Sequence, residues 1–211
     1  GIFSAISKYL MVILVGFAIQ MFIIYPVFLK CFSKVSAAML FSAIAEAMMV
    51  AFGTASSSAT LPLTIACCEK RGISHKISSF VLPLGATLNF DGTALLQTVA
   101  VIFLAQAYQV HLTPFLVVQI AVLAIIASST CAGIPGGGLI TIALILNGMG
   151  LSPEQLVAGF AFLFTIERLT DMFRTTLNIT SDAVVAATIA DNENEINYDL
   201  LNNPAAYEEI A

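Results

Sequence analysis

Residues 9–29, YLMVILVGFAIQMFIIYPVFL, run for 21 positions without a charged side chain. A helix of that length crosses the hydrocarbon core of a bilayer. In hydrocarbon every backbone N–H and C=O must be satisfied within the protein, which restricts spanning structure to helices or closed barrels. The remainder of the chain suits the same solvent. Of 211 residues, 59% are hydrophobic and 10% charged, where a soluble domain has about a quarter charged. The reading is an all-α integral membrane protein.

The formal net charge of −5 misleads about the body of the chain. Asp191, Glu193, Glu195, Asp199, Glu208 and Glu209 all lie in the last stretch, beyond the final Lys or Arg. Without them the body, residues 1–190, is close to neutral, and residues 191–211 read as a solvated, disordered acidic tail. Gly1 leads almost at once into an apolar run, with no initiator Met and no signal-peptide pattern, so the sequence reads as part of a longer protein. Cys31, Cys67, Cys68 and Cys131 have no metal-ligand spacing and read as small apolar packing residues.

Polar breaks interrupt the apolar runs. GTASSSATLP (53–62) divides residues 36–69, which are bounded by Lys30 and Lys34 on one side and Lys70, Arg71 and Lys76 on the other. Basic clusters mark the cytoplasmic face, so both ends of 36–69 are expected inside and the segment is expected to be a re-entrant hairpin. Residues 77–107 then cross outward. A second pair of apolar limbs, 113–147, is broken by STCAGIPGGG (129–138) and flanked by AYQVHLT and NGMGLSPE, neither with Lys or Arg. That hairpin should dip in from the outside, and 154–190 should return. Opposed hairpins and a broken helix are the inverted construction of secondary transporters. Irregular backbone at membrane depth is tolerated only when buried in protein or facing a wet cavity. The simpler alternative is that Ser56–Ser58 only cap a short helix with Pro62 at its start.

Two segments carry chemistry. In LPLGATLNFDGTALLQ, Asp91 lies deep in the span, beside Asn89, Gly92 and Thr93. A carboxylate at that depth costs about 2.5–3.5 kcal/mol on the insertion scale and calls for a partner or a cation. Oxygen-only ligands suit a hard cation rather than a transition metal. In ERLTDMFRTTLNITSD (167–182), about 100° per residue places Asp171, Thr175, Asn178 and Asp182 on one stripe, with Glu167 and Arg174 near one edge and Arg168 near the other. Leu169, Phe173 and Leu177 take the opposite face. Part of this stripe could be internal ion pairing, Glu167–Arg174 or Arg168–Asp171. Alternatively an Arg fork accepts a carboxylate and Asp171 an ammonium.

Together SSSATLP, LPLGATLNFDGTA, AGIPGGG and DMFRTTLNITSD, in this order, resemble the glutamate transporter family, the dicarboxylate/amino acid:cation symporters, over about residues 1–190. The resemblance implies transmembrane helices with two opposed re-entrant hairpins and one broken helix, forming a mobile transport domain that moves against a scaffold like an elevator. The scaffold helices and the homotrimer they build lie in segments absent from this sequence. It implies that Ser57, Thr93, Gly138, Asp171, Arg174, Thr175 and Asn178 bind substrate. Asp171 would take its amino group and Arg174 its side-chain carboxylate. For sodium it implies one site from Gly85, Asn89, Asn178 and Asp182, and a second from Thr87 with the backbone of Ser128, Ser129 and Cys131. A third would use Asp91 and Asn89 with ligands from a helix outside this chain. No organic cofactor, nucleic acid or enzymatic step is implied.

This chain departs from relatives in ways that bear on coupling. Phe90 stands where many archaeal members have Met. Ala55 and Met172 occupy the two places where relatives carry an additional arginine, for which Arg168 is a candidate substitute. Gln97 stands where animal glutamate carriers have a titratable Glu, so sodium coupling without a proton step is expected. The expectation is a multi-pass cytoplasmic-membrane symporter of aspartate or glutamate with its tail inside. A cystine, neutral amino acid or C4-dicarboxylate carrier is the runner-up. Arg174 argues against a purely neutral substrate and Asp171 against a dicarboxylate without an amine. A serine hydrolase would need a base near Ser56–Ser58, but His75 and His111 fall in loops on opposite expected sides. A passive channel lacks a selectivity-filter repeat.

Overall fold

The computed structural model describes residues 2–147 and 151–202. The expected loop positions 148–150 and tail positions 203–211, with Glu208 and Glu209, lie outside the described residues. The first span comprises α1 (Ile2–Ile19), a π-helical turn (Gln20–Ile24) and α2 (Tyr25–Phe32). The first hairpin has α3 (Ala37–Ala43) and α4 (Ala45–Thr54) as one limb and α5 (Ser57–Lys70) as the other. Next come α6 (His75–Leu88) and α7 (Asp91–Ala107), then α8 (Pro114–Ser128) and α9 (Gly137–Asn147) as the second hairpin. α10 (Pro153–Asn192) and the short α11 (Tyr198–Asn202) complete the chain. Among the described residues there is no β-sheet, only an isolated bridge between Ile73 and Ile196.

By length and composition, Phe3–Phe32 and His75–Ala107 can each cross a membrane, and the α3–α4 pair makes a third candidate despite its 61° bend. The bend falls at Ile44 and was not foreseen from the sequence. α10, with 40 residues, is about 60 Å long at 1.5 Å per residue, and its polar stripe keeps it from reading as an ordinary apolar span. It is the axis of the molecule, packed against α1 through α7 and α9. From Thr170 to Ala190 most of its side chains are buried. Apolar residues on α1 and α8, such as Met11, Val15, Phe115, Val118 and Ile125, stay exposed, as befits surfaces made for lipid or for other helices rather than water.

Local chemistry sets the helix ends. Ser56, Ser74, Thr113 and Ser152 cap α5, α6, α8 and α10 by accepting from backbone N–H groups. Ser152 and Gln155 complete a reciprocal capping box, which satisfies two of the otherwise unpaired donors. Pro62 lies inside α5 rather than at its start. The break in the second hairpin is shorter than the expected 129–138. Gly136 turns the chain at φ +81°, a conformation that suits glycine, and Gly137 and Gly138 are already helical.

The tail expectation needs correction. Residues 193–202 fold back onto the end of the bundle where the loops around 33–36 and 71–74 meet. The Ser74 N–H donates to Glu195 O (3.0 Å) and the Asn197 N–H to Gly72 O (2.8 Å). Lys76 pairs with Glu195 at 2.8 Å, and Leu201 is buried. Acidic composition alone suggested disorder, but Ile196, Tyr198 and Leu201 give this segment apolar surface to dock.

Candidate functional site

The two hairpin tips meet. The Ser58 N–H and the Ser56 hydroxyl both donate to the carbonyl of Gly133, at 3.2 and 2.9 Å. A Cβ on Gly133 would lie 2.7 Å from Ser58 Oγ, so glycine is what lets the tips approach. Ser56 therefore does two things: its hydroxyl caps α5, accepting from the Ala59 N–H, and it bonds the opposite tip.

The polar stripe of α10 runs beneath the tips. Arg174 and Asp171, each 2% exposed, form an ion pair within one turn. Neither Glu167–Arg174 nor Arg168–Asp171 is formed. Arg168 turns outward toward the Gly53 carbonyl, 3.3 Å away, and three-residue spacing serves Asp171–Arg174 equally well. The second Asp171 oxygen accepts from the Gly136 N–H at 3.0 Å, linking α10 to the second tip. Arg174 Nη1 donates to Thr93 Oγ1 (3.0 Å), which also accepts from Asn178 Nδ2 (3.1 Å). Asn178 Oδ1 accepts from the Gly92 N–H at 3.0 Å. Gly138 lies against Arg174, since a Cβ there would come 3.4 Å from Nη1. Arg174 Nε and Thr175 Oγ1 are buried with no hydrogen-bond partner, and buried polar groups are normally paired. Ser57, also buried, opens α5, where helix N–H groups have no intrahelical acceptor.

A second cluster forms at the break between α6 and α7. Asn89 Nδ2 donates to Asp182 Oδ1 and to Ser181 Oγ, both at 2.9 Å. A Cβ on Gly85 would lie 2.5 Å from the same Asp182 oxygen. Gly85, Asn89 and Asp182 are thus brought together, while the Asn178 side chain points to Gly92 and Thr93.

Asp91 has partners that the sequence reading did not include. Its Oδ2 accepts from Gln20 Nε2 (3.0 Å) and the Tyr25 hydroxyl (2.6 Å), both on the first span, and Oδ1 from the Gly92 N–H (2.8 Å). The only sequence sign of this was two hydrogen-bonding side chains in an otherwise apolar run. Their spacing of five would put them about 140° apart on an α-helix.

The remaining expected sodium ligands are not linked in this way. The Thr87 hydroxyl donates back to Pro83 O and Leu84 O. Those of Ser128 and Ser129 donate to carbonyls of their own helix, and Ser128 O accepts from the Cys131 N–H at 2.9 Å. Among the described residues no hydrogen bond joins Thr87 to Ser128, Ser129 or Cys131. Gln97 is buried in the core and donates to Thr141 on α9.

The profile of the sodium:dicarboxylate symporter family matches residues 1–192. An excitatory amino acid transporter of Caenorhabditis elegans is 37% identical over 87% of this chain and 36% of its own length. The neutral amino acid transporter B(0) of Homo sapiens is 37% identical over 88% of this chain and 34% of its own length. An excitatory amino acid transporter of Onchocerca volvulus is 36% identical over 87% and 37%. The chain spans about a third of the length of these relatives. With its family profile matched almost end to end, the chain belongs to the sodium:dicarboxylate symporter family.

Proposed function

We propose that this chain is the moving transport-domain part of a sodium-coupled symporter for an acidic amino acid, aspartate or glutamate, working by an elevator mechanism in a cytoplasmic membrane. Residues 1–190 form that part, and the tail from 191 lies on the cytoplasmic side. The scaffold helices and a homotrimeric assembly come from segments outside this sequence.

The observation that carries the reading is the buried Arg174–Asp171 pair, joined to Thr93 and the Gly136 N–H beneath touching hairpin tips. Without ligand, the two charges neutralise each other. An acidic amino acid brings both complements: its ammonium takes Asp171 and its side-chain carboxylate takes the Arg174 fork. One buried pair becomes two, so neither charge is left uncompensated at a site where that would be costly. Ser57 at the start of α5 receives the backbone carboxylate, and Thr175, Asn178 and Gly138 complete the walls.

Coupling follows from the surrounding charge. Asp91, Asp171 and Asp182 outnumber Arg174, and an acidic substrate deepens that imbalance. Cations at Asp182 with Gly85, Asn89 and the Asn178 backbone, and at Asp91 with Asn89, restore it. Thr87 with the Ser128, Ser129 and Cys131 backbone forms a further cation site once the second hairpin rearranges around the substrate. The second hairpin, rich in glycine, is the gate, and the first is the inner barrier. Gln97 cannot titrate, so no proton step accompanies transport, and a potassium requirement for turnover would defeat that point.

The test is L-aspartate binding to the full-length protein in detergent, with sodium and with choline in its place. Tight binding only in sodium, resisting serine and cystine, is the expected result. Sodium-dependent binding of cystine, a neutral amino acid or a C4-dicarboxylate instead would keep the mechanism and overturn the substrate. Binding indifferent to sodium would remove Asp91 and Asp182 as cation ligands.

A further inference from the structure

The π turn in the first span has a geometric consequence. On an α-helix, Gln20 and Tyr25 would point about 140° apart. Here the Tyr25 N–H bonds to Gln20 O, an i→i+5 turn that stacks the two residues one above the other. Both side chains then reach the same atom, Asp91 Oδ2, at 3.0 and 2.6 Å. Single π turns inside α-helices occur frequently at functional sites. The Tyr25 hydroxyl also lies 3.3 Å from the Leu177 carbonyl on α10. It has one hydrogen and therefore a second acceptor within reach, next to Asn178. On its other side the turn's Met21 and Phe22 border an open apolar groove of about 270 Å³ with Leu14, Phe17, Phe173 and Leu177.

We propose that the Gln20–Tyr25 π turn is the release element of the Asp91 cation site. This rests on the symporter reading and adds to it two positioning residues on the first span. Both are donors, and together they occupy the oxygen a cation would use. They satisfy the buried carboxylate when the site is empty, and a cation enters only by displacing them. The Tyr25 hydrogen then turns to the Leu177 carbonyl. Such placeholders stabilise the empty state and so weaken cation binding enough for release on the low-sodium side.

Tyr25→Phe removes a placeholder without removing the carboxylate, so the empty state loses a charge-assisted hydrogen bond. The half-saturating sodium concentration should fall, by about tenfold for a bond of that class. Gln20→Leu should shift it in the same direction, which keeps the test open if one variant folds poorly. The readout is the melting temperature of the full-length protein in detergent, without substrate, titrated with sodium against choline at constant ionic strength. An unchanged midpoint in both variants makes the contacts merely structural, and a raised midpoint makes them cation ligands; either overturns the inference. A wild type whose melting ignores sodium would instead overturn the symporter reading itself, and the inference with it.

Discussion

The Ser56 hydroxyl donates to the carbonyl of Gly133, 77 positions further along the chain, at 2.9 Å. This bond and its neighbour from the Ser58 N–H join two helical hairpins over the Arg174–Asp171 pair. Ser56→Ala removes both that bond and the cap of α5, and capping losses are about 1 kcal/mol. The tips should part more often. Cys131, buried beside the second tip, then reacts faster with a thiol reagent in a Cys31→Ser background, by a factor of about five. An unchanged rate would mean that the serine bond does not hold the tips together.

Arg174 has Asp171 and Thr93 as partners and is 2% exposed. Removing one member of a buried pair costs about 3–5 kcal/mol because the other charge is left alone. On the proposed acidic-symporter reading, Arg174→Cys in the full-length protein should lose uptake of aspartate and admit neutral amino acids in its place. Aspartate affinity equal to wild type would take Arg174 out of the pocket.

Gly85 leaves space for the Asp182 carboxylate, and a Cβ there would come 2.5 Å from Oδ1. Alanine is the better helix former by about 1 kcal/mol, yet Gly85→Ala must push the carboxylate from Asn89. The expected outcome is normal helix content by circular dichroism with sodium-dependent stabilisation weakened at least about tenfold. A variant with unaltered sodium dependence would separate Gly85 from the proposed cation site.

Asp191 ties three segments at the end of the bundle. It accepts from Ser33 Oγ (3.0 Å), the Lys34 N–H (2.6 Å) and the Tyr198 hydroxyl (2.5 Å). Partial burial alone would raise its pKa. The bonds from Tyr198, Lys34 and Ser33, with the Lys34 charge, outweigh that and hold it below the ordinary aspartate value. Tyr198 is correspondingly pushed up to about 12, by desolvation and by Asp191. A depressed folded pKa means the stabilisation is complete above the unfolded value, about 3.9. It is lost as pH falls through the folded value. The melting-temperature gap between wild type and Asp191→Asn should therefore be constant near neutrality and close on acidification. A gap that widens with acid would contradict the assignment.

Part of the candidate site's geometry could be read from the sequence, although among the described residues the hydroxyls of Thr87, Ser128 and Ser129 bond only within their own helices. The hairpin breaks announce themselves because Gly, Ser and Pro cluster there, in GTASSSATLP and STCAGIPGGG, rather than standing singly as Gly16 and Pro26 do in the first span. The stripe from Asp171 to Asp182 follows from helical periodicity. Less accessible was the choice of partner. Glu167, Arg168, Asp171 and Arg174 lie close enough on α10 that several pairings satisfy the spacing. Asp171–Arg174 forms where Thr93 and Gly136 from other elements add hydrogen bonds to it. The docking of residues 193–202 was hidden for a related reason: acidic composition describes their solubility, while Tyr198 and Leu201 find their contacts on α3 and the loops only after folding.

Run lengths, charge and the placement of small polar residues determined by themselves that this is a helical membrane protein with opposed broken segments and buried acids. A bilayer leaves the backbone few alternatives, so the large breaks show in composition, while the bend at Ile44 and the π turn do not. Only the tertiary structure decided that Ser56 meets Gly133, that Arg174 pairs with Asp171, and that Gln20 and Tyr25 both reach Asp91. The first two depend on how α5, α7 and α9 pack around α10, and distances between elements are not encoded in the periodicity of any one of them. The third depends on a single π turn, which reorients two side chains without changing a letter of the sequence around it.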